Sequence, residues 1–502
     1  MWRTALVLAV LHSASLASAQ SPRPWVGKKV VTEYQTPLKV NGQVVDEGKT
    51  FRVYTVERAE ERRLWLASGG VAGWVQSSKV VPFDQAIDIY TQEIRDNPGI
   101  ASLYLARGRN WAEKGETDKA IADCDEAIRL DPKYADAFAM RGYAFHNKKA
   151  YDKSIADYNE AIRLNPKYSV AFNYRGRAWS EKKENDKAIA DYSEAIRLDP
   201  RYAQAFGNRG NARYEKKEYC KAIADFDEAI RLDPKDSISF HNRGLSWSGK
   251  KEYDKAIADY SEAIRLDPKS SLAFDNRGWD FNNKKAYDNA IADYGDAIRL
   301  DPKCSLAFIH RGWAWHNKLE FDKAIIDYNE GIRLDSKSFK AFIMRGTTWY
   351  FKKEYDKAIA DYDEAIRLDP KEFLPLKLRG DAWRAKKAYD KAIADYNEAI
   401  RLDVNYPVAY GSRAWFWATC PDEKYRNGKK AVESATRACE LTKWKDANYL
   451  DTLAAAYAEA GNFDKAVEWQ EKANKLYTDG EDKKKGEERL GLYKGKKPYR
   501  EP

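Results

Sequence analysis

From Ala101 to Tyr406 the sequence repeats a 34-residue pattern nine times without a gap. The repeat from Ser237 to Ser270 reads SISFHNRGLSWSGKKEYDKAIADYSEAIRLDPKS. A fixed period of this length indicates an array of small structural units rather than a set of independent globular domains. A half repeat at 83–100 precedes the array, and two degenerate repeats follow it at 407–480. We number the repeats 1 to 11 from residue 101 and the positions within each repeat from 1 to 34.

Each repeat predicts two amphipathic helices. In repeat 5, Phe240, Gly244 and Trp247 are spaced i, i+4, i+7 and therefore share one helical face. The second half, from Tyr253 to Ile264, carries a wider apolar stripe, and Pro268 ends it. One such helix pair cannot bury both of its apolar faces alone. Stacking of neighbouring pairs into a continuous core is therefore expected.

The residue types at fixed positions carry a family resemblance. Small residues recur at positions 8, 20 and 27, aromatic residues at positions 4, 11, 17 and 24, and proline at position 32. In this pattern the units resemble tetratricopeptide repeats (TPRs). The resemblance implies a mainly α fold, a right-handed TPR α-solenoid built as a superhelix of antiparallel helix pairs, with a concave groove that binds a peptide or protein. A few positions depart from the pattern, including Arg213 in place of the position-11 aromatic residue.

The first 19 residues predict a secretory signal peptide. Arg3 supplies the positive charge, an apolar run follows from Ala5 to Leu11, and Ala17-Ser18-Ala19 is a cleavage site of the A-x-A type. We expect cleavage after Ala19 and export of the mature chain to the periplasm or the extracellular space. No later stretch is long and apolar enough to predict a membrane span.

Residues 25–82 have a β-rich texture. Short runs at 29–33, 50–57, 64–67, 73–76 and 79–81 alternate with turn signals such as Asn41-Gly42. The length of the segment and the run Gly73-Trp74-Val75 resemble a small bacterial SH3-like β-barrel. That resemblance implies a contact with the cell wall, whereas the structural alternative is a cap on the array. At the other end, the Lys- and Gly-rich composition of the tail at 481–502 predicts disorder beyond a last helical turn.

The charge balance argues against a nucleic-acid partner. The chain has 87 basic and 78 acidic residues, a net charge of +9, and the two signs are interleaved along every repeat. Nucleic-acid binding favours a basic stripe, and the sequence has none of any length. The interleaved charges instead indicate a solvated helical surface.

No catalytic or metal-binding motif occurs in the sequence. The four histidines beyond the signal do not form a cluster, since His310 and His316 are six residues apart and point to different faces, and no HExxH, CxxC, GxGxxG or P-loop pattern is present. Five scattered cysteines do not form a disulfide framework, and Cys420 and Cys439 are predicted to lie too far apart to bond. We therefore predict a protein without enzymatic activity, cofactor or metal.

Arginine at position 7 and aspartate at position 23 occur in all nine regular repeats, as in Arg243 and Asp259. In an antiparallel helix pair that turns near position 15, these two positions lie side by side. The pattern predicts a ladder of Arg–Asp pairs inside the array. The functional alternative is a track of arginines for an anionic ligand.

The first helix varies between repeats at positions 2, 5, 9 and 12, and in TPR proteins this face lines the groove. Large apolar side chains at two of these positions, Trp279 and Trp313, are the strongest candidates for partner contacts because tryptophan is frequent among binding hot spots. The alternative is that these positions vary because nothing constrains them. The predicted partner-binding residues are Asn173, Arg177, Asn211, Tyr214, His241, Asp275, Trp279, Asn282, Trp313, His316, Tyr350, Lys377, Asp381 and Arg384.

These observations predict a non-enzymatic scaffold that binds a peptide or protein partner in the concave groove. The alternative is a cell-envelope protein that binds cell-wall glycan through the SH3-like domain, with the repeats as a spacer. A secreted enzyme with an unrecognised site is the third hypothesis.

Overall fold

The structure is a computed structural model that describes residues 26–32, 38–40, 43–46, 54–60, 63–68, 71–76, 80–478 and 480–501. The predicted signal peptide lies outside these residues. The chain divides into two compact units, residues 1–269 and 270–502. The N-terminal unit holds the β-rich segment, the half repeat and repeats 1 to 5. The C-terminal unit holds repeats 6 to 11 and the tail.

The β-rich segment forms an antiparallel sheet in the order β3-β2-β6-β5-β4-β1-β7. Its strands are β1 Lys29–Thr32, β2 Leu38–Val40, β3 Gln43–Asp46, β4 Tyr54–Ala59, β5 Arg63–Ser68, β6 Val71–Gln76 and β7 Val80–Pro82. A small apolar cluster that includes Val56, Leu64 and Leu66 is fully enclosed. Trp65 and Trp74 are direct cross-strand partners, with ring centroids 5.4 Å apart. Strands β2 and β3 were missed by the sequence reasoning, although Asn41-Gly42 lies between them.

The repeats form successive helix pairs within each unit. Helix α1, Ala86–Asp96, is the half repeat. The first helices of repeats 1 to 11 are α2 Ala101–Glu113, α4 Ala135–Asn147, α6 Ser169–Glu181, α8 Ala203–Glu215, α10 Ser237–Gly249, α12 Ser271–Asn283, α14 Ser305–Asn317, α16 Phe339–Phe351, α18 Leu374–Ala385, α20 Pro407–Thr419 and α22 Ala447–Glu459. The second helices are α3 Thr117–Leu130, α5 Tyr151–Leu164, α7 Asn185–Leu198, α9 Tyr219–Leu232, α11 Tyr253–Leu266, α13 Tyr287–Leu300, α15 Phe321–Leu334, α17 Tyr355–Leu368, α19 Tyr389–Leu402, α21 Gly428–Leu441 and α23 Phe463–Leu476.

Close packing inside each pair depends on the glycine at position 8. The side chain at position 24 of the second helix is fully buried against it in every regular repeat. A Cβ atom built on Gly176 would lie 2.7 Å from Cε1 of Tyr192, well inside van der Waals contact. The invariant small residue in the repeat is therefore required by the ring that faces it.

The predicted Arg–Asp ladder is confirmed in all nine regular repeats. In repeat 5, Nε of Arg243 donates to Oδ2 of Asp259 at 2.8 Å and Nη2 donates to Oδ1 at 2.7 Å. The carboxylates are nearly enclosed and the guanidinium groups half-buried, so the bidentate pairing satisfies groups that water reaches poorly. The pairs are Arg107–Asp123, Arg141–Asp157, Arg175–Asp191, Arg209–Asp225, Arg243–Asp259, Arg277–Asp293, Arg311–Asp327, Arg345–Asp361 and Arg379–Asp395.

Most ladder arginines also make a third hydrogen bond, which sequence reasoning did not predict. Nη1 of Arg243 donates to Asp227 at 2.6 Å, and Asp227 occupies position 25 of the preceding repeat. The same bond joins Arg345 to Asn329 at 2.6 Å. Each such bond ties one repeat to the next, so the ladder stabilises the stacking as well as the pair. The acceptors of the ladder arginines are Thr91 in the half repeat and, at position 25, Asp125, Asn159, Ser193, Asp227, Asn329 and Asp363. Asn397 accepts the same bond from Arg413 of repeat 10.

Position 25 of repeat 6 is Gly295, which offers Arg311 no side-chain acceptor. A Cβ built there would stand 3.9 Å from Arg311 Nη1, with open space around it. Gly295→Asn is therefore expected to raise the free energy of unfolding by about 1 kcal/mol, through the new hydrogen bond and better helix propensity. Urea unfolding measures the change. The reverse exchange, Asn329→Gly, should lower it by a similar amount. A gain from Gly295→Asn of only ~0.3 kcal/mol, the propensity difference alone, would contradict the bond.

A lysine at position 19 that recurs in the repeats lies over the aromatic side chain at position 11. In repeat 5 the Lys255 ammonium lies 4.5 Å from the Trp247 ring centroid, and the same contact recurs wherever position 11 is tryptophan in the regular repeats. Arg213, which replaces that tryptophan in repeat 4, instead bonds Asp225 at 2.8 Å. All five cysteines are free, as predicted for Cys420 and Cys439.

The prediction of a disordered tail is wrong for the residues described. Gly480–Lys494 form helix α24, which packs against the last repeat. Tyr493 is fully buried, and Arg489 bonds Asp451 of α22 at 2.8 Å. Composition failed here because two side chains in a Lys- and Gly-rich segment supply the anchoring contacts.

Candidate ligand-binding face

The first-helix face consists of the side chains at positions 5, 9 and 12 of the first helices. In the C-terminal unit, Trp279 on this face is 40% exposed. Its ring centroid lies 5.3 Å from that of His310, on the next repeat. Nδ1 of His310 lies 3.0 Å and 3.2 Å from the two oxygens of Asp275, which the sequence also placed on this face. The structure therefore brings an exposed indole, an imidazole and a carboxylate together.

Exposed apolar side chains lie at position 2 of the same two repeats. Leu272 and Leu306 each expose more than half of their surface. Single exposed leucines are ordinary on protein surfaces, but Leu272 shares its helix with the exposed Trp279, and Leu306 lies on the first helix of the next repeat. The combination favours a surface that contacts another molecule.

Two predicted partner-binding residues in the C-terminal unit are not accessible, which corrects the prediction for them. His316 is buried, its Nδ1 lies 2.9 Å from Thr348 Oγ1, and burial lowers its pKa. It stacks on Trp313 with ring centroids 5.1 Å apart, and this contact leaves Trp313 half-buried. Asn282 is buried and accepts a hydrogen bond from Asn317. These polar groups are satisfied within the array and hold neighbouring repeats together.

A charged cluster occupies the face at repeats 8 and 9. Nζ of Lys377 lies 2.6 Å from Asp381, which also accepts a hydrogen bond from the hydroxyl of Tyr396 at 2.7 Å. Burial, with the charge of Asp381 as the next cause, raises the pKa of Tyr350. Although burial opposes it, Tyr396 and the carboxylates of Glu501 and Asp381 raise the pKa of Arg384, so this guanidinium stays charged.

In the N-terminal unit, Asn173 was predicted to contact a partner but is fully buried. Its Nδ2 donates to the hydroxyl of Tyr202 at 3.1 Å, and its Oδ1 accepts from Asn208 at 3.0 Å. The prediction for Asn173 is therefore corrected: the amide joins repeats 3 and 4. A buried amide with both ends bonded has a structural role.

The other predicted residues of the N-terminal unit remain near the surface. Asn211 is exposed and accepts a hydrogen bond from Asn242 at 2.9 Å. The Arg177 guanidinium lies 5.3 Å from the Tyr174 ring centroid. Tyr214 and His241 are half-buried against Tyr219 and Tyr260, respectively. These contacts leave the four side chains partly available and do not gather them into one cluster.

The end of the tail, residues 499–501, contacts the first helices of repeats 9 to 11. Glu501 places its two carboxylate oxygens 3.0 Å and 3.1 Å from Nη1 of Arg384. The indole Nε1 of Trp415 donates to the same carboxylate at 2.9 Å. The backbone N–H of Glu501 donates to the carbonyl of Thr419 at 3.0 Å. One side chain of the tail is thus held by two donors on different repeats.

The preceding tail residues contact the same face. The Tyr499 ring centroid lies 5.8 Å from that of Trp415. Nη2 of Arg500 lies 2.6 Å from Glu459, and its Nη1 reaches the carbonyl of Ala418. Side chains of alternate residues, Tyr499 and Glu501, therefore turn towards Trp415, while Arg500 lies between Glu459 of α22 and the end of α20.

The residues predicted from the sequence did not include Trp415 or Glu459. Trp415 occupies position 9 of repeat 10, the position of Trp279 and Trp313, so alignment of the degenerate repeat could have found it. Glu501 carries no signal in the repeat pattern, because it lies outside the period.

Within the part of the chain that the structure describes, no group of three or more His, Cys, Asp or Glu side chains could hold a metal ion. Nor is any described helix long and apolar enough to span a bilayer.

Four family models of the repeat match the chain. One described as TPR repeat matches residues 176–217. Three further models are described as tetratricopeptide repeat. The first matches residues 237–270, and the second matches 83–135, 281–339 and 345–407. The third matches 135–168, 203–236 and 447–479. The chain carries tetratricopeptide repeats. The matches span the half repeat, the regular TPRs and repeat 11, which the 34-residue period had marked, and the mainly helical repeat fold agrees with them.

Solved TPR structures also resemble the chain. Yeast Tom70 is 16% identical, with a TM-score of 0.45, over 82% of this chain and 92% of that chain. A tetratricopeptide repeat protein from Parabacteroides merdae is 16% identical, with a TM-score of 0.40, and the match covers 49% of this chain and 98% of that chain. YrrB, described as a TPR protein with an unusual peptide-binding site, is 22% identical, with a TM-score of 0.32, and the match covers 38% of this chain and 97% of that chain. None of the curated proteins matches the sequence.

Proposed function

We propose that this TPR protein is a non-enzymatic scaffold that binds a peptide or protein partner on its first-helix face. The observation that carries the proposal is the exposed indole of Trp279 beside His310 and Asp275. Most large aromatic side chains of the repeats are buried or covered by lysine, whereas Trp279 leaves 40% of its surface exposed at a position on the first-helix face. Tryptophan combines a large apolar surface with an N–H donor, which suits a binding hot spot.

The proposal includes export and an SH3-like N-terminal domain. The apolar run at 5–11 and the A-x-A site ending at Ala19 support export to the periplasm or outside the cell. The antiparallel meander β4-β5-β6 and the short strands support an SH3-like fold for the N-terminal sheet.

A photo-cross-linker tests the binding face directly. Placed at position 279 of the exported full-length protein, p-benzoylphenylalanine is expected to capture a discrete protein partner in native envelopes. Trp444 provides the matched control, because it is also 40% exposed but lies in the turn between α21 and α22. Once the partner is purified, Trp279→Ala should weaken its binding at least tenfold, whereas Trp444→Ala should not.

Two results would contradict the proposal. One is capture of the same proteins from positions 279 and 444. The other is a Trp279→Ala, Trp313→Ala variant that folds normally and binds the partner as the wild type does.

A further inference from the structure

We propose that the end of segment 495–501, here called the strap, occupies a peptide site formed by the first helices of repeats 9 to 11, and that this site takes an extended peptide with one acidic side chain. The proposal rests on the proposed function, since it names a ligand class for one part of the same face. The site is built around a carboxylate seat, which we define as Nη1 of Arg384 and Nε1 of Trp415.

The chemistry of the seat selects a carboxylate. Arg384 sits on repeat 9 and Trp415 on repeat 10, and their donors converge on one carboxylate group. A charged guanidinium and an indole N–H offer donors and no acceptor, so an amide or hydroxyl would satisfy them less well. Two other bases near these residues, Lys377 and Arg489, are already paired with Asp381 and Asp451, respectively. The seat therefore recognises one negative charge.

Neighbouring contacts extend the recognition to a short motif. The Trp415 ring accepts an aromatic side chain two residues before the acid, as Tyr499 shows. Glu459 takes a basic side chain between them, as Arg500 shows. The Thr419 carbonyl accepts one backbone N–H of the ligand. An extended peptide of the order aromatic, basic, acidic matches all of these groups.

The strap is held less firmly than the helix that precedes it. In α24, Tyr493 is fully buried and Arg489 and Asp451 form a nearly enclosed ion pair. In the strap, Glu501 and Arg500 each keep about a third of their side chains exposed, at 30% and 33%. Lys496, at φ 53°, ends the helix in a left-handed turn and redirects the chain. An anchored helix with a weakly held extension allows the extension to be displaced while the helix stays in place.

Competition with a synthetic peptide tests the site. The probe is a fluorescent peptide with the sequence of residues 495–501, GKKPYRE, amidated so that the glutamate side chain carries its carboxylate. Its affinity is measured by fluorescence anisotropy for the full-length wild type and for Tyr499→Ala, Glu501→Gln, which weakens the strap. If the strap covers the seat about 90% of the time, the variant binds the probe about tenfold more tightly.

Matched variants assign the effect to the seat. Glu488→Gln makes the same charge change on the exposed surface of α24 and should bind the probe as weakly as the wild type. Arg384→Gln, added to the strap variant, should lower the affinity at least tenfold with an unchanged circular dichroism spectrum. A probe with glutamine in place of glutamate should bind equally poorly.

Three results would overturn the proposal. The wild type and the strap variant could bind the probe equally, or neither could bind it. Alternatively, sedimentation could show that the strap variant changes from one oligomeric state to another, in which case a second copy of the chain occupies the seat. Cross-linking at position 279 does not involve the strap, so a failure here leaves the proposed function separately testable.

Discussion

Arg243→Leu is expected to lower the free energy of unfolding by about 3 kcal/mol, because it leaves the Asp259 carboxylate buried without its partner. Two hydrogen bonds within the repeat and one to Asp227 are lost together. Urea unfolding gives the total change, and amide hydrogen exchange should place the loss of protection in repeats 4 and 5. Neighbouring repeats share the loss because each stacks directly on the next.

Two controls separate the buried charge from other effects. The double variant Arg243→Leu, Asp259→Leu removes both charges and should recover most of the stability, to within about 1 kcal/mol of the wild type. Asp227→Ala removes only the third, exposed hydrogen bond and should lower the free energy of unfolding by about 0.5 kcal/mol. If Arg243→Leu unfolded like the wild type but lost partner binding, the arginines would instead form a track for an anionic ligand.

Gly176→Ala is expected to lower the free energy of unfolding by about 2 kcal/mol, although alanine is the better helix former. The new methyl group would meet the Tyr192 ring at 2.7 Å from Cε1 and 2.9 Å from Cδ1. That ring is buried and cannot move aside without disturbing its own neighbours. Thermal or urea unfolding measures the change.

The control is the same substitution one repeat further along. Gly207 lies inside α8, and a Cβ there would meet no atom closer than Ser239 Oγ at 3.7 Å. Gly207→Ala should therefore raise the free energy of unfolding by about 0.5–1 kcal/mol. Equal effects at the two glycines would show that ring packing does not set the requirement for glycine at position 8.

The repeat architecture and the ladder could be predicted because both depend on periodic positions. A residue such as Asp259 recurs with its partner in every repeat, so the period and the antiparallel turn suffice to pair them. The third bond was missed because its acceptor at position 25 varies between Asp, Asn, Ser and Thr, and no single residue type marks it.

The candidate face was only partly predictable. The repeat position of Asn173 and His316 predicted which face of the first helix they occupy. Their burial, however, depends on side chains of the next repeat, Asn208 and Thr348. His310 was not predicted for the same reason. It occupies position 6 of the next repeat and completes the cluster at Trp279. The tail was misjudged because average composition is insensitive to Tyr493 and Glu501, whose partners lie far away in the sequence.

The absent acceptor at Gly295 has a mechanical consequence for the C-terminal unit. Where position 25 carries a polar side chain, a load along the chain is shared between stacking and a bond that bridges two repeats. At the joint between repeats 6 and 7, Arg311 bonds Asp327 within its own repeat, and Gly295 adds nothing across the joint. The side-chain bonds across this joint include those from His310 to Asp275 and from Asn317 to Asn282, which lie at the candidate face, whereas the next joint also has the bond between Arg345 and Asn329.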